Sequence, residues 1–215
     1  MIITVWSIVP VVALVSYAVL AVVAIRRATS TRVSRFFTAY VLSMAIWCLG
    51  SMMMRLDPEH VESWSRVFAI GGMVAMPPLL FGFVRALVGE KGRPLWLYGG
   101  VVCAFVLGWA AATGRFFNRV EVSPIGLVTI EYGSALPIYG IYWLVYIGSA
   151  TVVLSRAYQR NPDPVFRNRV RYPLVGLVLV FIGALSNALP SLRAYPFDIA
   201  ANLANSLLLT YAVVR

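Results

Sequence analysis

Charged residues are scarce in this sequence. They make up 12% of it, whereas hydrophobic residues make up 60% and the mean hydropathy is +0.82. A soluble domain carries about 25% charged residues, so the composition excludes one. The apolar runs are unbroken, which also excludes the alternating strands of a transmembrane β-barrel. Because no water reaches the bilayer core, each span must pair its own backbone, and we expect an all-α membrane protein.

Side chains that catalyse reactions or bind metals are equally rare. The chain has one histidine, His60, and one lysine, Lys91, both between apolar runs. One histidine excludes the two-histidine zinc motif and bis-histidine haem ligation, and there is no Gly-x-Ser-x-Gly motif. No carboxylate lies in the interior of an apolar run, so no proton relay is visible. Cys48 and Cys103 are mid-run and predict no disulfide. We therefore expect no catalysis, no cofactor and no metal.

Seven apolar runs are long enough to cross a bilayer, for which a helix needs about 20 residues. They are Ile2–Ile25, Phe36–Met54, Val67–Val88, Leu95–Thr113, Ala135–Leu154, Tyr172–Pro190 and Phe197–Val214. The first run lacks the basic start and cleavage site of a signal peptide, so we expect it to be retained. The sequence predicts a single seven-transmembrane helical bundle over residues 1–215.

The basic residues predict the orientation of the bundle, because they collect in cytoplasmic loops. Thirteen fall on one side: Arg26, Arg27, Arg32, Arg35, Arg85, Lys91, Arg93, Arg156, Arg160, Arg167, Arg169, Arg171 and Arg215. Five fall on the other: Arg55, Arg66, Arg115, Arg119 and Arg193. The N-terminus is therefore expected outside and the C-terminus in the cytoplasm. This topology accounts for the net charge of +10 without a nucleic-acid partner, and anionic lipid is the expected partner of the basic loops.

The longest external loop, residues 116–133, has a strand pattern. Val120, Val122, Val128 and Ile130 alternate with polar residues on both sides of a Ser-Pro-Ile-Gly turn at residues 123–126. Alternation around such a turn predicts a β-hairpin. We expect a small external hairpin between the fourth and fifth spans.

Two prolines, Pro77 and Pro78, interrupt the third span. Proline removes a backbone donor and clashes with the preceding turn, so a kink is expected there. Such a kink serves as a hinge or pocket wall, or it is a static bend. The sequence leaves both interpretations open.

Polar and aromatic residues within the spans also have two interpretations each. Tyr139, Tyr142, Trp143 and Tyr146 recur at helical spacing and form either an interfacial aromatic belt or a ligand-contacting wall. Asn187 and Asn202 either bond to neighbouring helices or contact a ligand. Arg66 either reaches for the membrane surface or faces an anionic group; Arg85, at the inner end of its span, is expected to reach for the surface.

The end of the chain resembles a known family. It contains Tyr195-Pro196-Phe197-Asp198, then Asn202, then the segment from Leu208 to Arg215. This pattern resembles the Pro-Phe/Ile-Asp…Asn…Leu-Leu-x-Tyr-Ala-Ile-x-Arg ending of the seven-helix N-terminal sensor region of bacterial histidine kinases. Further similarities are Trp47, Trp64 with Gly71-Gly72, the prolines of the third span and Arg167-x-Arg169-x-Arg171. The resemblance extends over essentially the whole chain.

The resemblance implies a receptor module in the bacterial cytoplasmic membrane. Such a module senses a stimulus outside or in the membrane and relays it through the last helix to a cytoplasmic signalling module, commonly as a homodimer. This sequence has no phosphoacceptor histidine region and no ATP-binding domain, so no kinase activity is assigned to its residues. It is either part of a longer sensor or acts on a separate partner.

We expect the ligand, a small molecule or a lipid, to bind in a cavity open toward the outer leaflet. The residues predicted to line it are Trp47, Arg55, Trp64, Arg66, Tyr139, Tyr142, Trp143, Asn187 and Asn202. The alternatives are a small-molecule transporter and a lipid-modifying membrane enzyme. A transporter usually has matching broken helices in two repeats, and the double proline has no counterpart in the sixth or seventh span. The enzyme would need catalytic groups that the chain lacks.

Overall fold

Helices form most of the chain. The computed structural model describes residues 5–26, 31–90, 95–189, 192 and 195–214, apart from the side chains of residues 5–7, 187, 188 and 212–214. The helices are α1 Val5–Arg26, α2 Arg32–Leu56, α3 Val61–Val67, α4 Met76–Leu87, α5 Leu95–Ala112, α6 Leu136–Arg160, α7 Pro164–Ala188 and α8 Phe197–Val214. A 3₁₀ turn, Pro58–His60, precedes α3, and a π-helical segment, Phe68–Val74, joins α3 to α4. The 3₁₀ turn, α3, the π-helical segment and α4 form one continuous span, Pro58–Leu87. The eight helices therefore make seven spans.

The outer surface of the bundle is apolar. In the described part of the chain, six helical spans are long and apolar enough to cross a membrane, namely all except α8. Large apolar side chains are exposed on α1, α5, α6 and α7, among them Val15, Val19, Val102, Phe105, Ile141 and Val178. Soluble proteins rarely expose contiguous apolar patches of this kind. The chain is a multi-pass membrane protein, and the prediction of a helical seven-span bundle is confirmed.

Helix α2 is at the centre of the bundle. It packs against α1, against the π-helical segment and α4, and against α8, while α7 and α8 form the most extensive helix pair. Gly50 and Gly72 allow the close approach of α2 to the third span. A Cβ atom on Gly50 would lie 2.7 Å from the backbone nitrogen of Phe68, and one on Gly72 would collide with the Trp47 side chain. Small residues at helix contacts permit such close packing in membranes.

The predicted hairpin is present. Strand β1, Phe117–Val122, pairs antiparallel with β2, Val128–Tyr132. Gly126 has φ 78°, the left-handed conformation that glycine adopts readily, and its N–H donates to the Ser123 carbonyl at 2.8 Å. We call the end of the bundle that carries this hairpin the hairpin end, and the opposite end, with Arg26, Arg32 and Arg156 to Arg171, the basic end.

The helices at the basic end extend further than predicted. The prediction stopped the fifth span at Leu154 and began the sixth at Tyr172, with a long basic loop between them. Instead, α6 continues to Arg160, and Asp163 caps α7 by accepting a hydrogen bond from the Val165 N–H at 2.9 Å. Hydropathy finds only the apolar part of a helix, so helical turns beyond the bilayer were missed. Arg167, Arg169 and Arg171 therefore lie in α7 and not in a loop.

The third span also differs from its prediction. It begins at Pro58, about two turns before the predicted start at Val67. The interruption lies in the π-helical segment before Pro77 and Pro78, which occupy the first turn of α4. Prolines are tolerated there, because N–H groups in a first turn lack helical partners. Whether this joint is a hinge stays a prediction.

Arg85, at the basic end of α4, was expected to extend toward the membrane surface, and that expectation is wrong. Its side chain is buried, and its Nε donates to Oε2 of Glu90 at 2.8 Å. Glu90 follows the end of α4 closely enough to pair with it. A carboxylate in the next loop thus replaces water as the partner of the guanidinium.

Candidate functional site

A cavity of about 470 Å³ lies inside the hairpin end. Small-molecule sites commonly have volumes of about 300–1,000 Å³. Its walls come from α2, the third span, α6, α7 and α8, and alternate residues of β2 cover it: Val128, Ile130 and Tyr132. Because successive strand residues point to opposite faces, Thr129 and Glu131 are exposed on the other side. The hairpin therefore forms the roof of the cavity.

Two buried polar atoms in the cavity wall lack hydrogen-bond partners among the described residues. They are Nε1 of Trp47, on α2, and Oδ1 of Asn202, on α8. Trp47 is 5% exposed and Asn202 is 3% exposed. A buried donor or acceptor without a partner costs about 1–3 kcal/mol. The pair therefore offers one donor and one acceptor to a bound molecule.

Within the part of the chain that the structure describes, the charged residues of the cavity wall are Arg55 and Asp198. Arg55 connects the hairpin to α2. Its Nε donates to the Gly126 carbonyl at 3.1 Å, and its Nη1 donates to Oγ of Ser51 at 2.7 Å. Asp198 lies in the first turn of α8 and is buried. The wall thus combines one cation with one anion in an otherwise largely apolar lining.

The aromatic residues of α6 divide between the cavity and the packing around it. Tyr139 and Trp143 line the cavity. The Tyr142 hydroxyl instead donates to the Val74 carbonyl at 2.9 Å, and the Tyr146 hydroxyl donates to the Trp96 carbonyl at 2.6 Å. Tyr142 makes ring contacts with both Tyr139 and Tyr146, in keeping with their helical spacing.

The remaining predicted site residues lie elsewhere or are outside the described part. Trp64 and Arg66 are not in the cavity lining. The Trp64 Nε1 donates to Asp57 at 3.0 Å, and Arg66, 47% exposed, lies 4.0 Å from Glu62. The side chain of Asn187 lies outside the part of the chain that the structure describes. The binding role of all these residues stays a prediction.

Asp57, between α2 and the third span, is the acceptor for two side chains. Besides Trp64, Nδ1 of His60 lies 3.0 Å from its Oδ1. These hydrogen bonds, that of Trp64 first, lower the pKa of the Asp57 carboxyl from its ordinary value. The lone histidine of the chain is therefore part of a local polar cluster at the hairpin end.

Helix α8 has a polar face in its first half. Asp198 and Asn202 lie at the cavity. One turn further along, Nδ2 of Asn205 donates to the Tyr40 hydroxyl of α2 at 2.9 Å, and Oγ of Ser206 donates to the Tyr17 hydroxyl of α1 at 3.0 Å. All four α8 residues are buried. Tyr17 and Tyr40 were not predicted as part of this arrangement, although a tyrosine within an apolar run needs a partner for its hydroxyl.

The cavity wall offers hydrogen-bonding and charged groups. Within the described ranges, no group of three or more His, Cys, Asp or Glu side chains is arranged to hold a metal ion. Among the described residues, the polar groups of the cavity wall include the indole N–H of Trp47, the amide oxygen of Asn202 and the charged groups of Arg55 and Asp198; Ser51 and three tyrosines also line it. These groups can form hydrogen bonds with a polar molecule.

Comparison with known proteins assigns this arrangement to a family. The family model described as the N-terminal 7TM region of histidine kinase matches residues 8–215 of the chain. No curated protein matches this chain.

Proposed function

Because the chain belongs to the family of N-terminal seven-transmembrane regions of histidine kinases, we propose that it is the signal-reception domain of a histidine kinase-type receptor. A ligand binds in the cavity at the hairpin end, which faces the outside of the cell. Helix α8 then relays the change to an effector in the cytoplasm. The membrane in question is the bacterial cytoplasmic membrane.

The observation that carries this proposal is the polar face of α8. Its first turns line the cavity through Asp198 and Asn202, and its middle is held to α2 and α1 through Asn205 and Ser206. A ligand shifts an equilibrium only if it binds one arrangement better than another. A molecule bonded to Asn202 acts on the same face that holds α8 in place, so binding and helix position are coupled.

The third span supplies a second moving part. Phe68, Met73 and Met76, from the π-helical segment and the start of α4, line the cavity. π-Helical turns inside α-helices are frequent at functional sites. We propose that this segment adjusts when the cavity is filled, with Pro77 and Pro78 limiting the adjustment to the turn before them.

The effector is a cytoplasmic signalling module, in the same polypeptide or in a separate one, and the receptor works as a homodimer. In this proposal the chain itself carries no catalytic step. Its partners are the bilayer, the ligand and the effector.

A chimera tests the proposal. A histidine kinase module is joined in frame after Arg215, and autophosphorylation is measured in membranes for two variants of α6. A Cβ atom at Gly140 or at Gly148 would meet no atom within 4 Å, but only Gly140 lines the cavity.

Leucine at position 140 therefore enters the cavity, whereas leucine at position 148 does not. We expect Gly140→Leu to change kinase output at least about threefold, a free-energy shift of at least about 0.65 kcal/mol, and Gly148→Leu to leave it unchanged. Equal output from both variants and the unmodified chimera would refute the sensor function.

A further inference from the structure

The cavity opens onto the apolar surface of the bundle between α6 and α7. Leu144 on α6 and Phe181 and Leu185 on α7 line the cavity and are nevertheless 57%, 44% and 50% exposed. The Trp143 and Phe181 rings stack beside this opening, with centroids 6.0 Å apart.

The surface around the opening is also apolar. Ile141 on α6 and Val178 and Ile182 on α7 are 65%, 58% and 58% exposed. In a multi-pass membrane protein such a surface contacts lipid. A molecule therefore reaches this opening from the bilayer, and its apolar part remains among apolar side chains throughout entry.

The polar groups inside the cavity select a particular headgroup. The Trp47 N–H needs an acceptor and the Asn202 Oδ1 needs a donor, and a hydroxyl group is both at once. The charges of Arg55 and Asp198 have opposite signs. A headgroup with a net charge would meet a like charge as well as an opposite one, so these walls favour an uncharged head.

We infer that the cavity binds an uncharged single-chain amphiphile with a hydroxyl-bearing headgroup, such as a monoacylglycerol, which enters from the bilayer between α6 and α7. The headgroup lies between Trp47 and Asn202, and the chain extends past Leu144 and Phe181 toward lipid. This inference rests on the proposed function and names the chemical class of its ligand.

Photolabelling of the whole chain in lipid nanodiscs tests the inference. The probe is a monoacylglycerol with a diazirine in its acyl chain, and labelled peptides are located by mass spectrometry. We expect labelling of the α6 segment around Leu144 and the α7 segment around Phe181. Gly140→Leu should reduce it at least about tenfold, since the added side chain occupies volume that the ligand needs. Gly148→Leu should label like wild type; equal labelling of the two variants would overturn the inference.

The headgroup is tested separately by substitution and by competition. Trp47→Phe removes the indole N–H and should weaken binding about fivefold, whereas Trp96→Phe, at a 57% exposed site on α5, should not. Unlabelled monoacylglycerol should compete better than a fatty acid or an alkylamine of equal length, and glycerol alone should not compete. Equal competition by the fatty acid, or displacement by glycerol, would contradict the proposed ligand class.

The proposed ligand class and the proposed sensor function can be refuted separately. If the probe does not label the cavity while Gly140→Leu still changes the output of the chimera, the ligand class is wrong and the sensor function stands. If the probe labels the cavity and the output is the same in all variants, the ligand class stands and the sensor function is wrong.

Discussion

The hydroxyl of Tyr142 on α6 donates a hydrogen bond of 2.9 Å to the backbone carbonyl of Val74. In an α-helix that carbonyl would accept from the N–H four residues later, but residue 78 is proline and has none. A side chain from a neighbouring helix thus satisfies the group that the proline leaves open. Buried backbone carbonyls at membrane depth require this kind of compensation.

We expect Tyr142→Phe to lower the free energy of unfolding by about 1–3 kcal/mol, because the Val74 carbonyl is left buried without a donor. Thermal unfolding in detergent measures the change. Tyr98→Phe is the control, since Tyr98 is 64% exposed on α5. Equal stability of the two variants would mean that the hydrogen bond contributes nothing.

The contact between Gly72 and Trp47 predicts a steric effect. A methyl group at position 72 collides with the indole, so Gly72→Ala should destabilise the protein by about 1–3 kcal/mol, as overpacked cores do. At Gly108 of α5 a Cβ atom meets nothing within 4 Å. Gly108→Ala should therefore be neutral or stabilising, by up to about 1 kcal/mol, through helix propensity. Chemical denaturation of both variants measures their free energies of unfolding. An unchanged value for Gly72→Ala would contradict the close packing of Gly72 against Trp47.

Apolar run length was sufficient to predict the seven spans, and alternation around the turn at residues 123–126 was sufficient to predict the hairpin, because each pattern is local in the sequence. Helix ends beyond the bilayer were not predictable in this way. Arg167 and Arg169 lie in the first turns of α7, which Asp163 caps. A hydropathy window does not register such polar helical turns.

Only part of the candidate site could be predicted. Trp47, Arg55, Tyr139, Trp143 and Asn202 were predicted and lie together in the cavity wall. They were identified because polar or aromatic side chains are unusual within apolar runs. Trp64 and Arg66 have the same residue chemistry but point elsewhere, and Tyr142 bonds to a backbone carbonyl of its neighbour. The direction in which a side chain points depends on the rotation of its helix about the helix axis. The π-helical segment changes that rotation in the third span, and the sequence does not specify it.

The hydrogen bond between Asn205 and Tyr40 predicts a measurable coupling between α8 and α2. A double-mutant cycle with Asn205→Ala and Tyr40→Phe should give a coupling energy of about 0.6 kcal/mol, the average for such bonds in membranes. The cycle of Tyr40→Phe with Thr151→Val should give none, because Thr151 bonds within its own helix α6. A coupling of zero in the first cycle would remove Asn205 from the contacts that hold α8.

The Asp57 cluster predicts a dependence of stability on pH. Its hydrogen bonds with Trp64 and His60 lower the pKa of Asp57 in the folded state. Such a group stabilises the fold at pH above its unfolded-state pKa, and the effect is lost as the pH falls through the folded-state value. We expect Trp64→Phe to be less stable than wild type near neutral pH and to approach it in acid. Melting temperatures across that range measure this, with Trp96→Phe as the matched substitution; a difference that is constant with pH would exclude a role for Asp57.

The most direct test of the account is the position of α8 when the cavity is filled. Spin labels are attached at Arg160→Cys on α6 and Leu207→Cys on α8, both exposed positions, after Cys48 and Cys103 are replaced by alanine. Pulsed electron spin resonance then gives the distance between them in nanodiscs. We expect Gly140→Leu to shift this distance by about 1–2 Å, the usual scale of helix shifts in switching proteins, and Gly148→Leu to leave it unchanged. Superimposable distance distributions in all three proteins would contradict the relay from the cavity through α8.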